Sequence, residues 1–151
     1  MITGVNNTWI PINWSSRRQG ATAVNTADAE LTAKSESVHQ YGLPLTGMME
    51  SVTGRMIRLI SYGDNDASLL AIRKGYSRRL AYLKKTQRVS IGSMHEIFYR
   101  EDNAELIQDD FFSVNRLMRV STDLNIGDLF TKPLTSERHW FLIGLFGKVS
   151  V

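Results

Sequence analysis

Cysteine is absent from this chain of 151 residues. Disulfides, thiolate metal sites and thiol nucleophiles are therefore excluded, and the absence is compatible with an intracellular protein. No apolar run reaches membrane-spanning length. The N-terminus has no basic segment leading into a secretory-type apolar stretch, so membrane insertion is not expected. No Asp or Glu precedes Asp28. The three histidines, His39, His95 and His139, are scattered. None has a nearby Ser, Cys or Glu arrangement suited to nucleophilic or zinc chemistry. There is no internal repeat and no low-complexity linker.

What is present is ordinary for a globular chain: 42% apolar and 22% charged residues. The length suits one compact domain with a real core. A net charge of +3, from 18 basic and 15 acidic residues, says little by itself. The distribution says more. Arg17-Arg18, Arg73-Lys74, Arg78-Arg79, Lys84-Lys85 and Arg88 are basic, whereas the stretch from Glu101 to Asp110 is acidic. Such a split allows a positive face for a polyanion. The competing reading is a solvated surface with dispersed charge.

Residues 1–8 read as a ragged lead-in. Trp9 to Trp14 reads as an edge segment, because Pro11 would cost a ladder hydrogen bond in a central strand. Ala21 to Asn25 can return as the second arm of a hairpin. Asn25 or Thr26 can cap a helix over about Ala27 to Gln40, with Leu31, Ser35 and Val38 facing a sheet and Glu30 near the edge of that face. Gly42 and Pro44 are expected to break it before a second helix from Leu45 to Val52, which Gly54 ends. Arg55 to Tyr62 reads as a strand, Asp66 to Arg73 as a helix, and Arg78 to Phe98 as a long helix, from Leu80, Leu83, Gln87, Ile91, Met94 and Phe98. Asn115 to Val120 contains the last strand. Asn125 can cap a short helix carrying Asp128, which Pro133 stops. Ser136 can cap a final helix over Glu137 to Phe146, packed by Trp140, Phe141, Leu142, Leu145 and Phe146 and ended by Gly147. This order implies a mixed α/β layer.

Three carboxylates stand out in that frame. Asp128 lies on a first helical turn, where free N–H groups favour an anion, although a plain capping role explains it equally. Asp64 sits at the carboxyl end of a strand that feeds a helix, where open α/β sheets place their sites. Glu30 opens the first helix. Carboxylates from three separate elements are what a divalent-metal site needs, since Mg2+ prefers hard oxygen ligands.

These same segments resemble the ribonuclease H domain that ends the polyproteins of Ty1/copia-type retrotransposons. The resemblance runs through Ile12-Asn13-Trp14-Ser15-Ser16-Arg17-Arg18-Gln19, Asn25-Thr26-Ala27-Asp28-Ala29-Glu30-Leu31, Asp64-Asn65-Asp66-Ala67-Ser68 and Lys85-Thr86-Gln87-Arg88-Val89. It is most specific in Asn125-Ile126-Gly127-Asp128-Leu129-Phe130-Thr131-Lys132-Pro133-Leu134. It implies a ribonuclease H-like mixed sheet flanked by helices over residues 9–147. It also implies a metal-binding set of Glu30, Asp64 and Asp128, with Asp28 as an extra acidic residue outside that set. The family's first catalytic aspartate, on a strand before Trp9, has no counterpart here, so the domain reads as N-terminally truncated.

An intact site of this kind holds two Mg2+ ions roughly 3.5–4 Å apart to activate water at an RNA phosphodiester. With three carboxylates the expectation falls to one weakly held Mg2+ or none. Arg17, Arg18, Asn65, Lys84, Lys85 and Arg88 are the candidates for contact with RNA or an RNA/DNA hybrid; phosphate contacts of this kind position a duplex without reading its sequence. The expected function is a catalytically incomplete module for nucleic-acid binding or assembly, with a protein partner covering an exposed sheet edge. Two alternatives stand beside it: a Mg2+-dependent ribonuclease whose missing strand and aspartate come from a partner, and a purely structural subunit.

Overall fold

A computed structural model describes residues 2–3, 9–10, 12–13, 22–99 and 115–145 of the chain. They fall into two compact units, one of residues 19–120 and one of residues 1–18 with 121–151. Both helices and sheet are present, as a mixed α/β class requires.

In the smaller unit, β1 (Ile2–Thr3) pairs antiparallel with β2 (Trp9–Ile10). The lead-in thus supplies the partner that was expected from Ala21 to Asn25; of that segment, the described residues 22–25 form no strand.

The larger unit begins with α1 (Thr26–Ser37), whose N-cap is Asn25: its side chain accepts from the Asp28 N–H at 3.0 Å. Gly42 and Pro44 do not break the helical path. A π turn over Val38–Gly42 carries it into α2 (Leu43–Thr53), with Pro44 in the first turn of α2. The Leu43 N–H donates to the Val38 carbonyl, five residues back. That wider turn suits a proline, which brings no N–H and crowds the carbonyl four residues before it.

The strand expected from Arg55 is shorter in fact: β3 spans Ile60–Gly63. Its parallel partner β4 covers only Arg116–Arg119, in the register Ile60↔Arg116 to Gly63↔Arg119. Before Ile60, side chains replace ladder partners. Glu50 accepts from the Ile57 N–H, and Asn115 accepts from the Leu59 N–H, both at 2.9 Å.

Between the two strands lie α3 (Asp66–Lys74), a 3-10 turn over Arg78–Leu80, α4 (Leu83–Thr86) and α5 (Ile91–Tyr99). The single long helix expected here is broken. Gly75 ends α3 at φ +68°, and Arg88 sits at φ +57° after α4. The breaks do not disturb burial: Leu80, Leu83, Val89, Ile91, Met94 and Phe98 join Leu31, Val38, Ala71 and Ile72 in one core.

In the smaller unit, α6 (Asp128–Thr131) packs on α7 (Ser136–Leu145). Of the aromatic and leucine residues expected to pack α7, Leu142 is fully buried, whereas Trp140 (65%), Phe141 (49%) and Leu145 (37%) are exposed. Phe146 and Gly147 lie outside the described residues. No described helix is long and apolar enough to cross a membrane.

Candidate functional site

Asp28, set aside on sequence grounds, is a heavily bonded carboxylate. It is fully buried. One oxygen accepts from the Val24 N–H at 2.9 Å and the Tyr82 hydroxyl at 3.0 Å. The other accepts from the Gln87 side-chain amide at 3.0 Å and, at the limit of 3.5 Å, from the Thr32 hydroxyl. Asp28 therefore closes the N-terminus of α1 and ties it to the segment around α4. Loss of water around Tyr82, together with its hydrogen bond to Asp28, raises the Tyr82 hydroxyl above the ordinary phenol value of 10.0.

That tied segment carries the cations. Between Asp66 and Glu96 the sequence has no acidic residue and seven basic ones: Arg73, Lys74, Arg78, Arg79, Lys84, Lys85 and Arg88. All seven are exposed. Leu80, Leu83 and Val89 anchor the segment in the core from the other side. Each basic pair lies in the last turn of a helix or 3-10 turn, where carbonyl dipoles favour positive charge. That accounts for their positions; it does not account for the missing carboxylates.

Arg88 adds a second peculiarity. A bulky side chain in the left-handed region costs about 1–2 kcal/mol relative to the right-handed one, and such positions cluster where function maintains them. Here the Val89 N–H reaches back to the Leu83 carbonyl at 3.2 Å and fixes the turn. Arg88→Gly is expected to raise stability by about 1 kcal/mol. Chemical denaturation would show the gain; a loss of stability would contradict the strain at this position.

Of the three expected metal ligands, Glu30 on α1 and Asp64 after β3 are half-buried and belong to the larger unit. Both act on one cation, the Lys34 ammonium. Lys34 is buried, at 7% exposure, one helical turn beyond Glu30. Its Nζ donates to the Tyr62 carbonyl at the end of β3, at 2.6 Å. Burial lowers its pKa from the ordinary 10.5, and the Glu30 and then the Asp64 carboxylate oppose that shift. Arg119, at the end of β4, also stands at this pole. It bonds to Asp66 at 2.6 Å, and that hydrogen bond, the charge of Asp66 and the charge of Asp64 all favour the charged guanidinium.

The Lys34 shift has a pH consequence. Between its lowered folded value and 10.5, the unfolded chain holds a proton that the folded chain has released. Stability therefore rises with pH through that window, which ends near 10.5. Denaturant unfolding from neutral to alkaline pH should show this rise in the wild type relative to Lys34→Met; parallel curves for the two proteins would contradict it.

Asp128, 4% exposed, belongs to the smaller unit, where its surroundings are those of a structural carboxylate. It pairs with Lys132 at 2.9 Å and accepts from the Asn125 side chain at 3.3 Å. Asn125 is not the cap of α6: that position falls to Gly127, and Asn125 instead accepts from the Gly127 N–H at 3.2 Å and braces the turn. Among the described residues no group of three His, Asp or Glu side chains is arranged to hold a metal ion.

Asn65 caps α3 by accepting from the Ser68 N–H at 3.0 Å, which accounts for it without nucleic acid. Lys84, Lys85 and Arg88 are exposed as a phosphate contact requires, whereas Arg17 and Arg18 lie outside the described residues. His39 and His95 each place Nδ1 against a main-chain carbonyl, Ser35 at 2.8 Å and Ile72 at 3.1 Å, so both have structural partners. Compared with protein-family models, curated proteins and solved structures, the chain matches none.

Proposed function

We propose that this chain is a ribonuclease H-like domain of the Ty1/copia retrotransposon type that binds RNA or an RNA/DNA hybrid without cleaving it. The observation that carries the reading is the acid-free stretch from Ala67 to His95, with seven exposed cations on a segment anchored by Leu80, Leu83, Val89 and Asp28. Phosphate contacts from such side chains give affinity that is insensitive to sequence and falls as salt rises. The reading without cleavage draws on the acidic pole, where Glu30 and Asp64 share a buried ammonium.

The direct test is incubation of a labelled RNA/DNA hybrid with the chain in Mg2+ and then Mn2+, beside Asp64→Asn. Intact hybrid is expected throughout. Cleavage that Asp64→Asn abolishes would favour the alternative of a metal-dependent ribonuclease, alone or completed by a copurifying partner.

A purely structural role is the second reading, and one observation favours it. Ile60, Tyr62 and Met118 share one face of the β3–β4 pair and are 37%, 51% and 40% exposed. Arg116 shares that face, but a protein contact made through its three apolar side chains would persist in high salt, whereas nucleic-acid binding would not.

A further inference from the structure

We infer that Lys34, an internal cation lodged at the end of β3 beside Asp64 and one helical turn from Glu30, stands in for a divalent metal at this pole, so that the pole takes up no Mg2+. The inference deepens the non-cleaving half of the reading above, and its test contains no nucleic acid, so either can fail alone.

The geometry carries it in three steps. Lys34 lies on the buried stripe of α1 with Leu31, Ser35 and Val38, so its side chain runs inward to the end of β3 rather than into solvent. There the ammonium is bonded to the Tyr62 carbonyl and stands within electrostatic reach of both carboxylates. Finally, the backbone is shaped to it: a Cβ added at Gly63 would lie 2.6 Å from Lys34 Nζ and 3.1 Å from its Cε. Glycine at this position leaves the room that the ammonium fills.

A divalent ion brought to the same carboxylates would meet the positive charge of a buried ammonium. At short range in a partly desolvated site, like charges repel strongly. Arg119 adds a second positive charge beside Asp64 from the side of β4. Two carboxylates that already share the field of an internal ammonium offer Mg2+ a weaker anionic oxygen set.

The test is a Mn2+ titration of the whole chain, followed by the paramagnetic resonance signal of the free ion. Wild type is expected to show no saturable uptake. Lys34→Met, which keeps the stem and removes the charge, is expected to gain saturable uptake, and adding Glu30→Gln or Asp64→Asn to it abolishes the gain. Saturable uptake by wild type that Asp64→Asn removes would overturn the inference, as would a folded Lys34→Met chain that takes up no Mn2+. Gly63→Ala provides a second route if Lys34→Met does not fold, because the added methyl displaces the ammonium while retaining its charge on the chain. Uptake gained in Gly63→Ala supports the inference, and a folded Gly63→Ala chain without uptake overturns it.

Discussion

Asp28→Ala is expected to destabilise the larger unit by about 2–3 kcal/mol, since hydrogen bonds to a charged group contribute about 1.5–3 kcal/mol each and its partly buried donors would lose their shared acceptor. The stranded donors are the Val24 N–H, the Tyr82 hydroxyl and the Gln87 amide. Against a total stability of about 5–15 kcal/mol, that is a large fraction. Asp28→Asn should cost about 1 kcal/mol, because a neutral acceptor forms weaker bonds but the set can still be satisfied. If its amide nitrogen replaces the oxygen that faces Gln87, rotation of the Gln87 amide presents an acceptor, and the Val24 N–H keeps its partner. Urea denaturation of the two variants separates these effects. Equal losses would mean that charge, not hydrogen bonding, holds the segment. Because Tyr82 and Gln87 flank Lys84 and Lys85, Asp28→Ala should also weaken polyanion binding without touching a cation.

The second large effect is electrostatic. Replacing Lys84, Lys85 and Arg88 together by glutamine should leave the fold intact, since all three are exposed. If each contacts a phosphate, the slope of log affinity against log salt should fall by about 0.7–0.9 per residue, and affinity in ~0.1 M salt by on the order of 100-fold. Fluorescence anisotropy with a labelled hybrid over a salt series measures both quantities. An unchanged slope with unchanged affinity would place the interface elsewhere on the chain.

What could be read from the sequence was local. Asn25 caps α1 and Gly54 ends α2, each legible from its own residue type and its near neighbours. The buried stripe of α1 follows from the spacing of Leu31, Ser35 and Val38. Of the period Leu80, Leu83, Gln87, Ile91, Met94 and Phe98, all but Gln87 lie in the core, which also takes Val89, but the backbone is not the single helix expected. Periodicity reports which side is buried, and a left-handed turn at Arg88 restarts a helix with its apolar side still inward. Pairings across the chain were not legible. Asp28 depends on Tyr82 and Gln87, which lie 54 and 59 residues away. β3 takes its ladder from Arg116–Arg119, more than fifty residues downstream. Lys34 did carry a local signal, a cation on an apolar stripe, but only the fold reveals the carboxylates beside it.

The most direct measurement of the central claim is hybrid binding by the wild-type chain across a salt series, in Mg2+, with the hybrid recovered and sized afterwards. The account predicts affinity that falls steeply as salt rises and hybrid that is recovered whole. Binding that is indifferent to salt, or hybrid recovered in fragments whose appearance Asp64→Asn prevents, would contradict it.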